Sequence, residues 1–182
     1  MKTRVTHFPS RAVWLPKAAG SGPYHHWLVD AGSLTQRLRA CCCTFSVTSV
    51  NQRWARPQSD EATLLGLRPQ QRALLREVCL NCDDQPVVFA HSVLPRASLR
   101  GPWHGLARLG ARPLGAALFA NAEVVRTPLS YRRLQPRHTL YQRAAALLQP
   151  GVGCLWARRS VFTLRGSSIM VTEVFLPGVL AL

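Results

Sequence analysis

A chain of 182 residues with a hydrophobic fraction of 47% is long enough for one substantial core and too short for two independent domains of ordinary size. Its 23 Lys plus Arg against 8 Asp plus Glu give a formal charge of +15, which favours anionic partners without specifying them. No basic block is interleaved with aromatics, which argues against a dedicated nucleic-acid surface, and no apolar run reaches the length of a membrane-spanning helix.

Residues 1–24 read as an irregular arm, interrupted by Pro9 and Pro16, with Trp14 and Leu15 as candidate anchors. The arm has no continuous apolar stretch, so no secretory signal is expected. The cysteines point the same way. Cys41, Cys42 and Cys43 are consecutive, Cys79 and Cys82 are three apart, and Cys154 is alone, which is not the spacing of a disulfide framework. No second pair accompanies Cys79 and Cys82, so zinc is not expected, and a reducing, cytoplasmic setting fits.

Ser33 followed by Gln36 forms a capping-box pattern, and Leu34, Leu38 and Cys41 then repeat at helical spacing. Leu34 therefore lies in the first turn of a short helix, where backbone N–H groups have no intrahelical partner and can hold an anion. Residues 43–50 alternate with period two and predict a strand with Phe45 and Val47 inward, followed by a loop through Pro57. Asp60 and Glu61 open the next helix, where they suit the macrodipole better than a catalytic dyad. Residues 74–81 and 86–94 predict a hairpin over Cys82-Asp83-Asp84-Gln85.

A short helical turn is expected over 98–109, and a second begins at Pro113, placing Leu114 in its first turn with an unclaimed N–H. Residues 123–126 predict a strand, and 127–136 read as broken and basic. Thr139 with Gln142 caps a helix reaching Leu148. Residues 155–164 and 168–176 form a last hairpin over Arg165-Gly166-Ser167. Hairpins with helices inserted between them indicate an α+β fold, a single antiparallel sheet flanked by helices on one side.

Two charges stand where the strand pattern asks for apolar residues. Glu173 shares a face with Ile169, Val171 and Phe175, and Arg76 shares one with Leu74, Val78 and Leu80. In an unselected protein the better reading of such a pair is a buried ion pair between neighbouring strands; the alternative is one cavity to which both charges are presented.

The ordered set Gly32-Ser33-Leu34-Thr35, Leu75-Arg76-Glu77, Leu109-Gly110-Ala111-Arg112-Pro113-Leu114-Gly115 with Leu118-Phe119, Trp156-Ala157-Arg158-Arg159-Ser160 and Thr172-Glu173-Val174-Phe175-Leu176-Pro177 resembles the chorismate pyruvate-lyases. The likeness runs from about Trp27 to Pro177, so 25–182 is expected to form the catalytic domain after the arm. The resemblance implies a cofactor-free elimination of pyruvate from chorismate, giving 4-hydroxybenzoate for ubiquinone. It also implies that Arg76 pairs with the ring carboxylate, that the amides of Leu34 and Leu114 add hydrogen bonds to it, and that Glu173 meets the hydroxyl at the opposite end. Glu173 is either a base or a hydroxyl anchor, and the sequence leaves both open. A closed pocket implies slow product release. The connection over 128–153 looks longer than the family's usual one. A monomer is expected, with no metal, specific nucleic acid or membrane span. The rival classes are a non-catalytic ligand sensor of the same fold and a basic nucleic-acid-binding protein; residues 1–22 are too short for a helix-turn-helix.

Overall fold

In the computed structural model, which describes residues 13–182, the two hairpins read from the sequence become neighbours in one antiparallel sheet. The first pairs β2 (Ala73–Cys82) with β3 (Gln85–Pro95), and the second pairs β6 (Leu155–Leu164) with β7 (Ser167–Phe175). Asp83 and Asp84 both adopt positive φ, 48° and 61°, as a two-residue turn between right-twisted strands demands. The sheet is extended by β1 (Phe45–Ala55), β4 (Val125–Arg126) and β5 (Ser130–Leu134). The order is β1-β2-β3-β7-β6-β4, with β5 also on β6. The seven-stranded sheet with its helices is the expected α+β architecture. The part of the predicted arm that falls in 1–12 lies outside the described residues. In the remainder, Leu15 bridges Tyr131 through two backbone hydrogen bonds of 2.8 Å.

Several expectations are corrected. Strand β1 continues to Ala55 where a loop was expected, because a bulge between Thr48 and Asn51, with Ser49 at φ 50°, breaks the alternation that marks a strand in sequence. The basic segment 127–136 contains β5, a strand that buries Tyr131 and Leu134, with Arg132 half-buried and Arg133 exposed. Residues 98–109 split into α4 (Arg96–Arg100) and a 3-10 turn over His104–Arg108, with Pro102 between them rather than opening a helix. The helix α6 (Thr139–Ala145) has His138 at its N-cap position without a side-chain cap, so Thr139 is its first residue and not its cap.

Helices cover both faces of the sheet rather than one. On the first face lie α1 (His25–Leu28), α2 (Leu34–Cys41) and α5 (Leu114–Phe119). One apolar cluster joins Trp27, Leu34 and Leu38 to Val78, Leu80 and Phe175, and another joins Leu114 and Leu118 to Leu74, Phe162 and Val171. On the opposite face α6 packs Leu140, Tyr141 and Ala144 against Phe89, Ala157 and Val174. The helix α3 (Ser59–Leu64) reaches the same face, where Glu61 Oε1 lies 3.2 Å from His91 Nε2. Sequence periodicity reports that a helix has a buried side, but not which side of the sheet receives it.

Candidate active site

The β-ladder decides which side chains meet. Arg76 is opposite Ser92, Ser92 is opposite Val171, and Val171 is opposite Ser160. Two residues along, Val78 is opposite Ala90, Ala90 opposite Glu173, and Glu173 opposite Arg158. With a side-chain period of two, both rows project to the same face. Between the two apolar clusters on that face is a cavity with about 560 Å³ of empty space including its mouth, lined by Leu34, Arg76, Leu114, Arg126, Ser160 and Glu173 among others. All four residues singled out in the sequence, Arg76, Glu173, Leu34 and Leu114, thus border one hollow.

Arg76 is 1% exposed and has no carboxylate partner among the described residues. Its Nη2 donates to the carbonyls of Gly110 and Arg112, each at 3.0 Å, and its Nε is buried without any partner. Burial pushes its pKa down, as expected for a cation removed from water without a counter-ion. The two carbonyl contacts also hold the loop that opens α5. Gly110 turns that loop at φ 55°, Pro113 is the extended N-cap without a side-chain cap, and Leu114 is the first helical residue. On α2 the Ser33 Oγ accepts from the N–H of Gln36 at 3.4 Å, and Leu34 occupies the first helical position. The amides of Leu34 and Leu114 cannot bond within their helices and are left for another acceptor.

The two helix mouths nearly touch. A Cβ placed on Gly115 would lie 2.9 Å from Thr35 Oγ1, so any larger residue would force Thr35 to shift.

Arg76 and Glu173 make no ion pair with each other; β3 separates their strands. The partner of Glu173 is Arg158, whose Nε donates to Oε2 at 2.5 Å. Arg158 is 1% exposed, and its Nη1 is shared by the carbonyls of Trp27, Leu28 and Asp30. This clamp leaves Glu173 Oε1 without a protein hydrogen bond among the described residues. Arg158 and Arg126 were missed by the sequence reading. Arg158 stands beside Arg159 in a strand whose other residues are mostly apolar, a signal of the same kind that selected Arg76. Arg126 lies in a two-residue strand, too short for any alternation to mark its face.

No group of three or more His, Cys, Asp or Glu that could hold a metal ion occurs among the described residues. Burial pushes the Cys79 thiol up to about 11 and that of Cys82 up to about 12, which keeps both protonated near neutrality.

The profile of the family described as "Chorismate lyase" matches residues 8–181. The chain belongs to the chorismate lyase family. It is 49% identical over 171 residues to a probable chorismate pyruvate-lyase of Nitrosospira multiformis, covering 93% of this chain and 95% of that one. A probable chorismate pyruvate-lyase of Aromatoleum aromaticum is 49% identical over 179 residues, covering 96% of this chain and 97% of the relative. The relative of the same name in Methylobacillus flagellatus is 46% identical over 169 residues, with 93% and 95% covered. Among solved structures, PhnF from Mycobacterium smegmatis superposes with a TM-score of 0.60 at 17% identity, covering 82% of this chain and 66% of that one. The effector domain of PhnF gives 0.58 at 19% identity, with 81% and 90% covered. Those solved structures share the fold of this chain, and at such identities nothing more follows from them.

Proposed function

We propose that this protein is a lyase that eliminates pyruvate from chorismate and releases 4-hydroxybenzoate. The observation that carries the reading is Arg76: a buried guanidinium without a carboxylate partner among the described residues, its Nε unbonded there, in the same cavity as a carboxylate. An uncompensated buried charge is costly unless an anion arrives to share it. The substrate's ring carboxylate would fill that role, accepting charge-assisted hydrogen bonds from the guanidinium donors that the loop carbonyls leave free. The amides of Leu34 and Leu114 would complete its coordination.

The hydroxyl at the far end of the ring would then meet Glu173 Oε1, since Arg158 occupies Oε2. In the reaction the ring C–O bond of the ether breaks and its electron pair leaves with the three-carbon enol unit. A proton leaves the hydroxyl-bearing ring carbon, and that C–H pair becomes the third ring double bond. The departing enol takes up a proton at its methylene carbon to become pyruvate, so atoms and charge balance. Glu173 Oε1 would receive the ring proton or orient the hydroxyl. Aromatisation supplies the driving force, so holding the ring and excluding water are the tasks left to the protein. The same reading takes the protein to work as a monomer in the cytoplasm.

Pyruvate release from chorismate without added metal is expected of the purified protein, and Glu173→Ala is expected to cut turnover at least about 10²-fold with an unchanged circular dichroism spectrum. Saturable chorismate binding with no pyruvate formed would instead establish a ligand sensor.

A further inference from the structure

We propose that Arg126 is a second anion anchor in this cavity, holding the carboxylate on the departing three-carbon unit and so distinguishing the dianionic substrate from the monoanionic product. The inference rests on the lyase reading. Arg126 reaches the cavity from β4, which pairs with β6 beside Phe162. Its Nε donates to Ser160 Oγ at 2.8 Å and its Nη1 to the Ala31 carbonyl at 2.7 Å. The guanidinium carbon lies 5.7 Å from the Phe119 ring centre and 5.1 Å from that of Phe162. These contacts fix the plane of the group and leave Nη2 without a protein partner among the described residues. No carboxylate forms an ion pair with it there, because the nearby one, Glu173, is taken by Arg158.

The position follows from the shape of the substrate. With the ring carboxylate on Arg76 and the hydroxyl on Glu173, the two ends of the ring are assigned. The ether that carries the second carboxylate stands on the carbon next to the hydroxyl, so this arm must project at the Glu173 end. Among the described residues Arg126 is the unclaimed cation at that end; its strongest favourable charge contact is Glu173. The charges also balance. Arg158 neutralises Glu173, and Arg76 with Arg126 leaves two positive charges facing a dianion. When the C–O bond breaks, negative charge grows on the enol oxygen next to the same carboxylate, where a fixed guanidinium stabilises it. The product keeps only the ring carboxylate and hydroxyl, and has nothing for Arg126 to hold.

The test measures binding of two ligands by calorimetry in a Glu173→Gln background, where turnover is slowed: chorismate and 4-hydroxybenzoate. Adding Arg126→Met is expected to weaken chorismate at least about 30-fold while changing 4-hydroxybenzoate less than about 3-fold, and Arg126→Lys should fall between for chorismate. Equal weakening of both ligands would show a merely structural role and overturn the proposal, as would no change in either. Pyruvate release by the unmutated protein is measured separately, so failure of the lyase reading is not confused with failure of the anchor.

Discussion

Arg76 braces a loop and, in the proposed reading, has donors to spare for a ligand. Two of its donor positions brace the carbonyls of Gly110 and Arg112, and the unpaired Nε is spent on no protein group. Replacing it with Met should raise the chorismate KM by about 10²-fold, since truncating one partner of a buried charge pair costs about 2–5 kcal/mol. It should weaken inhibition by 4-hydroxybenzoate to a similar degree, because both ligands carry the ring carboxylate. Steady-state kinetics with the product as inhibitor checks this, and unchanged constants would remove Arg76 from its role. Leu34 permits a sharper experiment. It is the first residue of α2, after a Ser33 in extended conformation at ψ 110°, and proline is well tolerated at that position. Leu34→Pro therefore deletes the amide donor while retaining the helix. A chorismate KM raised about 10-fold, with helical circular dichroism preserved, is expected if the amide binds the carboxylate.

At the level of elements, the cavity depends on two short helices approaching mouth to mouth. Gly115 and Thr35 form the contact, and Gly115→Ala would place a methyl group 2.9 Å from Thr35 Oγ1. Such overpacking typically costs about 1–3 kcal/mol, and here the strain would spread the two amide donors apart. We expect Gly115→Ala to lose about 10-fold or more in kcat/KM and the Gly115→Ala, Thr35→Ala double variant to recover much of it. A double-mutant cycle in kcat/KM with no coupling would show that the approach of α2 and α5 does not shape the site. Arg158 plays a comparable part between α1 and β7, since its Nη1 binds carbonyls at Trp27 and Leu28 while its Nε orients Glu173.

Across the whole molecule, the face of the sheet away from the cavity carries a buried ionic layer directly behind the rows that line the cavity. His91 is enclosed by Glu61 at 3.2 Å and Glu77 at 3.0 Å, and Glu77 also receives Arg53 and Arg143. Burial alone would raise the Glu77 pKa. The hydrogen bonds from His91 and Arg53, with the charges of His91 and Arg143, outweigh burial and hold it at about 2. For His91, burial opposes protonation, but Glu61 and Glu77 prevail and its pKa is raised. A depressed carboxylate stabilises the fold above its unfolded value and loses that contribution as pH falls. Glu77 should therefore contribute on the order of 3 kcal/mol at neutral pH, lost between about pH 5 and 2. The raised His91 acts in the opposite sense: its contribution is complete below about pH 6.5 and declines as pH rises through its folded value. Urea unfolding across this range should show the acid loss, and Glu77→Gln should flatten that limb. An identical acid limb in the variant would contradict the assignment to Glu77.

Much of this was open to local reading because local physics produces it. Alternation in 74–81 and 168–176 marks strands whatever they pair with, and a charge at an inward position is conspicuous there, as Arg76 and Glu173 were. A capped first turn has spare N–H groups wherever its helix packs, so Leu34 and Leu114 could be named in advance, and an ordered set of short motifs indicated the family. What local pattern does not encode is adjacency between distant segments. That β3 lies beside β7 sets Arg76 and Glu173 across one cavity, hands Glu173 to Arg158, and brings Arg126 from a two-residue edge strand to the same wall. Those choices are made when apolar faces from all parts of the chain are buried together, because burial rewards the sum of contacts and carries no record of the order in which residues are joined.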